Sequence, residues 1–376
     1  MACPCYIWAP RRGDSNIMRI AQVAPLFERV PPLLYGGSER VVSWLTEELV
    51  ERGHDVTLFA SGDSETNATL VPVCEKALWR DKECRETLPH HVRMMELVFR
   101  DPSRFDIIHF HCDYIHFPLV RRYGCPTVTT LHGYVHAHDL RGLFDEYQDV
   151  PLVSISQNQQ RSIPGANWHG TVHHGLPENL HTFRPHHGEY FAFLGRISPE
   201  KGIERAIEIA RLSGTQLKIG AKIYAEDRNY FEYAIQPLLQ KNSSLVEFVG
   251  EVGGTAKDEF LGRAKALLFP IDWPEPFGLV MIEAMACGTP VVAWRQGSVP
   301  EVILDGVNGL IVNNVEDALR RMPELDSIRR EDCRKMFEVH FRSQRMADDY
   351  LRIYEKVIDA NRRATPRPTV LTEVVR

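Results

Sequence analysis

The segment MRIAQVAPLFERVPPLLYGGSERVVSWLTEELVERGHDVTLFA, residues 18–60, decides the fold. A short apolar run, Ile20–Ala24, leads into a polar, proline-rich loop. Apolar residues then recur at helical spacing over Ser38–Arg52, and Gly53 follows as a helix-ending residue. A second apolar run, Val56–Ala60, comes next. Strand, helix and strand in this order predict a right-handed βαβ unit with parallel strands.

The same alternation continues along the chain in two series. Continuous apolar runs, typical of parallel strands that are buried on both faces, predict strands at 106–111, 127–131, 152–155, 191–194, 217–219, 246–249, 266–270, 291–293 and 310–312. Ser198 and Pro199 are suited to cap and start the first helix of the second series. We therefore expect an α/β protein with two Rossmann-like, doubly wound domains facing each other across a cleft.

The expected boundaries follow from these series. Residues 18–178 form the N-terminal domain, 179–188 a linker in a proline- and histidine-rich stretch, and 189–328 the C-terminal domain. Residues 329–362 are expected to be a helical segment that crosses back, and 363–376 a tail. Strand-like sequence begins only at Met18, so we expect residues 1–17 to be a disordered extension or an over-long start.

Composition excludes several classes of protein. The 376 residues carry a net charge of −6 without a basic cluster, which argues against a nucleic-acid partner. We expect neither a membrane-spanning helix nor a secretory signal, and a weak peripheral membrane contact is compatible with this charge. The eight cysteines are scattered without a CxxC pair, as in a cytoplasmic protein with reduced thiols and no zinc site.

The stretch WPEPFGLVMIEAMACGTP, residues 273–290, carries the strongest chemical signal. Glu275 precedes a predicted helix, and Glu283 lies eight residues further on, inside it. Gly278 and Leu279 stand at the helix start, where free N–H groups and the helix dipole favour a phosphate. Two carboxylates on either side of such a point could hold hydroxyl groups on either side of a diphosphate, as in a sugar–diphosphate–ribose ligand.

Three further signals lie at the ends of predicted strands. Arg196 and Lys201 straddle a tight loop after a strand, where fixed cations could stabilise a leaving diphosphate. Gly36 and Gly37 precede a helix and allow close backbone approach to a ligand, although the pattern is not the GxGxxG of dinucleotide-binding proteins. His132 ends the strand at 127–131 and should face the cleft.

From Met18 to about Val312, the chain resembles the retaining GT-B glycosyltransferases of family 4, also called glycosyl transferases group 1. The resemblance implies that Glu275 and His132 contact the donor sugar, that Glu283 holds the ribose, and that Arg196 and Lys201 bind the diphosphate. It implies as catalytic residues His132, Glu275, Arg196 and Lys201, and as donor-binding residues Gly36, Gly37, Phe277, Gly278, Leu279 and Glu283. His174 stands where the family commonly has asparagine, and it is assigned no role.

The expected function is transfer of a hexose, glucose from UDP-glucose rather than mannose from GDP-mannose, with retention of anomeric configuration. No Asp-x-Asp pair occurs in the chain, which favours departure of the diphosphate without a metal ion or other cofactor. The acceptor, a sugar, lipid or small molecule, and the oligomeric state are left open. A GT-B sugar phosphorylase, a nucleotide-sugar epimerase and a non-catalytic nucleotide-sugar binding protein remain alternatives. A nicotinamide dehydrogenase is disfavoured by the missing GxGxxG.

Overall fold

The computed structural model describes residues 17–34, 36–135 and 137–364. Residues 1–16 of the expected extension, 365–376 of the expected tail and Tyr35 of the glycine loop lie outside the described residues. Two parallel sheets covered by helices account for most of the described chain, as the alternating apolar runs predicted.

The first sheet has seven parallel strands in the order β3-β2-β1-β4-β5-β6-β7. They are β1 (Arg19–Val23), β2 (Asp55–Ala60), β3 (Thr69–Pro72), β4 (Ile107–Phe110), β5 (Thr127–Thr130), β6 (Leu152–Ser154) and β7 (Trp168–Thr171). The helices between them are α1 (Gly37–Glu51), α2 (Leu88–Phe99), α3 (Phe117–Tyr123), α4 (Ala137–Glu146) and α5 (Gln157–Ser162). Strand order reverses between β1 and β4, which is where doubly wound sheets bind ligands beyond the strand ends.

The second sheet has six parallel strands in the order β10-β9-β8-β11-β12-β13. They are β8 (Tyr190–Arg196), β9 (Leu217–Lys222), β10 (Val246–Gly250), β11 (Ala264–Phe269), β12 (Val291–Trp294) and β13 (Gly309–Val312). The accompanying helices are α6 (Ile203–Ser213), α7 (Arg228–Tyr230), α8 (Gln236–Lys241), α9 (Gly254–Gly262), α10 (Leu279–Ala286), α11 (Val299–Val302), α12 (Val315–Arg321), α13 (Arg330–His340) and α14 (Ser343–Ala364). Here strand order reverses between β8 and β11.

One local prediction was wrong. Ser198 and Pro199 do not start the first helix of this half, because Pro199–Lys201 forms a single 3₁₀ turn and α6 begins only at Ile203. Gly202 between them is left-handed, with φ of 71°, which turns the chain before the helix and interrupts its hydrogen-bond ladder. The stretch 329–362 is helical and consists of two helices, of which α13 packs against α10 in the C-terminal half and α14 returns to α1.

The chain passes between the two halves twice, and the two passages run side by side. Leu176 N donates to Phe341 O at 2.8 Å, and Ser343 N donates back to Leu176 O at 2.8 Å. Beyond this crossing, Met346, Tyr350 and Ile353 recur at helical spacing on the buried face of α14, in one hydrophobic core with α1. The last helix is therefore part of the N-terminal core, although it ends the described chain.

Candidate functional site

A cavity of about 410 Å³ opens between the carboxyl ends of the two sheets, within the range of about 300–1,000 Å³ that is usual for ligand sites. All the predicted site residues line it: Gly36, Gly37, His132, Arg196, Lys201, Glu275, Phe277, Gly278, Leu279 and Glu283. The structure thus brings together residues separated by up to about 250 positions in the sequence. Arg196, Lys201 and Gly278, each expected near the diphosphate, line this one cavity.

Glu275 lies in the loop between β11 and α10, and two donors hold its carboxylate. Trp273 Nε1 donates to Glu275 Oε2 at 2.8 Å, and Lys201 Nζ forms an ion pair with the same oxygen. Lys201 also lies 4.6 Å from the centre of the Trp273 ring. Close packing fixes the loop from behind, because a Cβ on Gly297 would come within 2.4 Å of the Glu275 backbone nitrogen. The carboxylate is therefore fixed in place and neutralised by a cation.

The start of α10 faces the glycine loop of the other domain. Gly278 caps this helix in a left-handed conformation with φ of 82°, which a side chain would strain. A Cβ on Gly37 would be in ordinary contact with Leu279, 3.6 Å from its Cδ1. The first-domain loop and the N-terminus of α10 therefore form opposite walls of the same cavity.

Glu283 is buried one helical turn into α10, with 4% of its surface exposed. Lys257, from α9, donates to its Oε1 at 2.8 Å. Burial raises the pKa of Glu283, but Lys257 and His181 together outweigh burial and hold the pKa below its usual range. Glu283 is thus an ionised hydrogen-bond acceptor in the lining of the cavity.

Arg196 lies at the carboxyl end of β8 and is already engaged by acidic side chains. Asp227 makes a two-pronged contact with its guanidinium, and Glu226 Oε1 lies 3.3 Å from Nη2. The hydrogen bonds to Asp227 raise the pKa of Arg196, and the guanidinium stacks 5.0 Å from the ring centre of Tyr224. The cation is therefore oriented from behind by a second layer of carboxylates.

His132 follows β5 and forms part of a group of stacked imidazoles. Its Nε2 lies 2.8 Å from His111 Nδ1, and its ring stacks on that of His174 with centroids 5.3 Å apart. Burial lowers the pKa of His132 to about 4, so the imidazole is neutral at physiological pH. A neutral imidazole at this place can hydrogen-bond a hydroxyl group but brings no charge.

Several pocket residues were missed by the sequence analysis: Arg40, Tyr134, His174, Lys222, Lys257 and Trp273. Trp273 lies inside the motif that was singled out, and an indole beside a Glu-Pro pair could have been noticed as a donor. His174 was set aside because it departs from the family pattern, yet it packs between His132 and Phe277. Lys257 gave no signal, because its helix reads as an ordinary solvated surface.

One group outside the cavity has the composition of a metal-ligand set. Among the described residues, ligand atoms of His181, Asp258 and Cys287 lie within 4.8 Å of one another. Arg184 Nη2 lies 3.7 Å from Asp258 Oδ2, and burial raises the pKa of the Cys287 thiol. A nearby guanidinium and a protonated thiol both disfavour a divalent cation. None of the helices described in the structure is long and apolar enough to cross a membrane.

Two protein-family models match successive parts of the chain. Residues 35–158 match Glycosyltransferase Family 4, and residues 181–336 match Glycosyl transferases group 1. An uncharacterized glycosyltransferase of Methanocaldococcus jannaschii is 28% identical over 44% of this chain, and the chain spans only about half of its length, 48%. The glycogen synthase of Mycobacterium tuberculosis is 25% identical over 74% of this chain and 79% of its own.

Solved structures share the whole architecture at low sequence identity. A sucrose-phosphate synthase from Thermosynechococcus elongatus superposes with a TM-score of 0.75 at 18% identity, covering 91% of this chain and 99% of that one. HepE of Anabaena, solved in complex with UDP-glucose, gives a TM-score of 0.68 at 16% identity over 91% of this chain and 100% of that one. With both sheets, the cavity and the two family matches in agreement, the chain belongs to the family 4 (group 1) glycosyltransferases with the GT-B fold.

Proposed function

We propose that the protein transfers a hexose, glucose from UDP-glucose, to an acceptor hydroxyl with retention of configuration and without a metal ion. One observation carries this proposal: Glu275, the N-terminus of α10 and Glu283 follow one another along a single wall of the cavity. That order matches the order of sugar, diphosphate and ribose in a nucleotide sugar. The UDP-glucose complex of the Anabaena relative supports the choice of donor.

The charges of the cavity fit a diphosphate. Its lining includes five cations (Arg40, Arg196, Lys201, Lys222 and Lys257) and four carboxylates (Glu200, Glu251, Glu275 and Glu283). Two of the carboxylates, Glu275 and Glu283, each form an ion pair with a lining lysine. The lining cations outnumber the lining carboxylates by one, and together with the free N–H groups of α10 they would stabilise the negative charge that grows on the diphosphate as it leaves.

The chemical step is proposed as a same-face displacement. The bond between the anomeric carbon and the phosphate oxygen breaks, the acceptor oxygen bonds to the anomeric carbon, and the acceptor proton passes to the leaving phosphate. Arg196 and Lys201 hold that phosphate, while Glu275 and His132 orient the sugar. Nuclear magnetic resonance of the product tests this step, and a β-linked product from an α-linked donor would contradict it.

The proposal is tested with a panel of nucleotide sugars, first by thermal shift and then by turnover with mixed acceptors in the presence of EDTA. Lys201→Ala should lower kcat by about 10²- to 10³-fold, because a fixed cation at the leaving group is lost. Lys218→Ala is the matched control, since Lys218 also pairs with a glutamate, 3.2 Å from Glu247, but does not line the cavity.

The same assays separate the alternatives. Cleavage of a disaccharide by inorganic phosphate would indicate a phosphorylase, and an epimerised donor would indicate an epimerase. A thermal shift with a nucleotide sugar that is never consumed, in any acceptor mixture, would indicate a binding protein. Each of these results would replace the proposed transfer reaction.

A further inference from the structure

A hydrogen-bond network of buried side chains connects His132 to the last helix of the protein. His132 Nε2 lies 2.8 Å from His111 Nδ1, and His111 Nε2 lies 2.7 Å from Gln22 Oε1. Gln22 Nε2 in turn donates to the Tyr354 hydroxyl at 3.0 Å. Gln22, His111 and Tyr354 are at most 3% exposed. Gln22 lies on β1, His111 directly after β4, His132 two residues after β5 and Tyr354 on α14, so the network spans the central strands of the sheet.

With the Gln22 amide oriented as it is in the structure, the network determines where each proton lies. The Gln22 oxygen can only accept, so His111 Nε2 must carry a proton. Burial lowers the pKa of His111 well below its usual range, so the ring is neutral and its Nδ1 is an acceptor. His132 Nε2 must therefore be the donor in the 2.8 Å contact. The neutral ring of His132 has only that one proton, which leaves a lone pair on its Nδ1.

The far end of the network agrees with this assignment. The Tyr354 hydroxyl accepts from Gln22, so its single proton is free for His109 Nδ1, 2.7 Å away. His109 can then donate from Nε2 to Thr130 Oγ1, 2.8 Å away. Every contact is thus satisfied in one direction. Rotating the Gln22 amide by 180° would exchange donor and acceptor in every hydrogen bond. The orientation of this single side chain therefore sets the direction of all hydrogen bonds in the network.

We propose that Gln22, His111 and Tyr354 are positioning residues that hold His132 with its proton on Nε2 and a lone pair on Nδ1. The inference rests on the proposed function, in which His132 contacts the donor sugar. Nδ1 has no hydrogen-bond partner among the described residues, so a sugar hydroxyl that reaches it must donate. His132 then acts as a hydrogen-bond acceptor that selects a hydroxyl group, and it does not deliver a proton in the reaction.

Two substitutions of Gln22 separate positioning from a merely structural role. Gln22→Leu removes the acceptor for His111, whereas Gln22→Glu keeps it but buries a charge. We expect kcat to fall about 3- to 10-fold in the leucine variant, the equivalent of one neutral hydrogen bond, with the donor KM little changed. The glutamate variant should recover most of kcat although it is the less stable protein. If activity instead follows stability, with the glutamate variant below the leucine variant, the inference is overturned.

A control variant covers the loss of a buried hydroxyl as such. Tyr354→Phe should lower kcat in the same direction as Gln22→Leu. Thr129→Val removes a buried hydroxyl from the position before Thr130 on β5. This hydroxyl contacts His116 Nε2 at 2.7 Å and takes no part in the network. Its kcat should be that of the wild type. Equal losses of kcat in Tyr354→Phe and Thr129→Val would show that kcat reports general damage to the fold and would overturn the inference.

The proton position is also measurable without turnover. Long-range ¹H–¹⁵N spectra of the full chain labelled with ¹⁵N-histidine, with His132 assigned from a His132→Gln variant, distinguish the two neutral forms. We expect an unprotonated Nδ1 and a protonated Nε2 at pH 7.5. A proton on Nδ1 would overturn the inference even if the enzyme is active. If no donor is consumed while the spectra agree, the proposed function fails and the proton assignment stands.

Discussion

The buried histidines of the N-terminal half predict a steep loss of stability on mild acidification. His109, His111, His116 and His174 are at most 4% exposed, and burial lowers the pKa of each well below 6.5. In the unfolded chain they titrate near pH 6.5, so below that pH the unfolded state binds more protons than the folded state. The free energy of unfolding is therefore unaffected by these histidines above about pH 6.5, and it falls as the pH drops below that value.

The magnitude follows from the unfolded pKa alone, provided the folded rings stay neutral. Between pH 7.5 and 5.5 each such histidine lowers the free energy of unfolding by about 1.4 kcal/mol, or by about 7 kcal/mol for these four together with His132, whose pKa burial lowers to about 4. Glu39 works in the opposite direction, because burial raises its pKa to about 7 and its protonation in the folded state returns about 2 kcal/mol over the same range. The net loss of about 5 kcal/mol is a large part of the 5–15 kcal/mol typical of a folded domain.

Urea unfolding at pH 7.5 and 5.5 measures this difference, and two variants attribute it. His116 packs against Phe110 with ring centroids 3.7 Å apart, so His116→Phe should keep the packing and reduce the pH-dependent loss by about 1.4 kcal/mol. His138, whose side chain is 88% exposed, provides the control, and its replacement by asparagine should leave the loss unchanged. Equal stability of the wild-type protein at both pH values would refute the reasoning.

Three further predictions concern the site. Lys257→Met should raise the donor KM at least tenfold, and donor binding should weaken further as the pH falls, because the pKa of the buried Glu283 rises when its cation is removed. A KM that does not depend on pH would contradict this. Glu301 accepts from the backbone N–H groups of Gln157 and Asn158 across the cleft, at 2.7 and 2.8 Å, and so holds the two halves closed. Glu301→Ala should therefore admit water and increase hydrolysis of the donor relative to transfer, and an unchanged ratio in a product assay would argue against this role in closure. Gly297→Ala should abolish turnover through displacement of Glu275. Gly306 is also left-handed but has open space around it, so Gly306→Ala should cost only about 1–2 kcal/mol of stability in a thermal melt. Similar activity of the two variants would exclude the displacement.

The sequence predicted the fold well where strands are continuous apolar runs and poorly where they are not. Eleven strands of the two sheets coincide with such runs. The other two, Thr69–Pro72 and Trp168–Thr171, lie at the edges of the first sheet, where one side is not paired and polar residues are tolerated. No periodicity marks a short edge strand, because its side chains are only half buried.

The predicted site residues share a short spacing in the sequence or a resemblance to family motifs, and this is why they could be found. The residues that orient them could not. Asp227 behind Arg196 and Lys257 beside Glu283 are ordinary surface charges in the sequence, and only the packing of neighbouring elements brings them within hydrogen-bonding distance. The same holds for Gln22 and Tyr354, which are 332 positions apart.

The return of α14 has a consequence for engineering acceptor preference by exchanging halves between relatives. A cut in the 179–188 linker would separate the first sheet from the helix that completes its core and from Tyr354. A chimera made by a single splice would therefore join a sheet from one parent to a closing helix from the other. Two splices, with the second near Arg342, would transfer an intact unit, and the N-terminal half is in this sense encoded in two separate stretches of the gene.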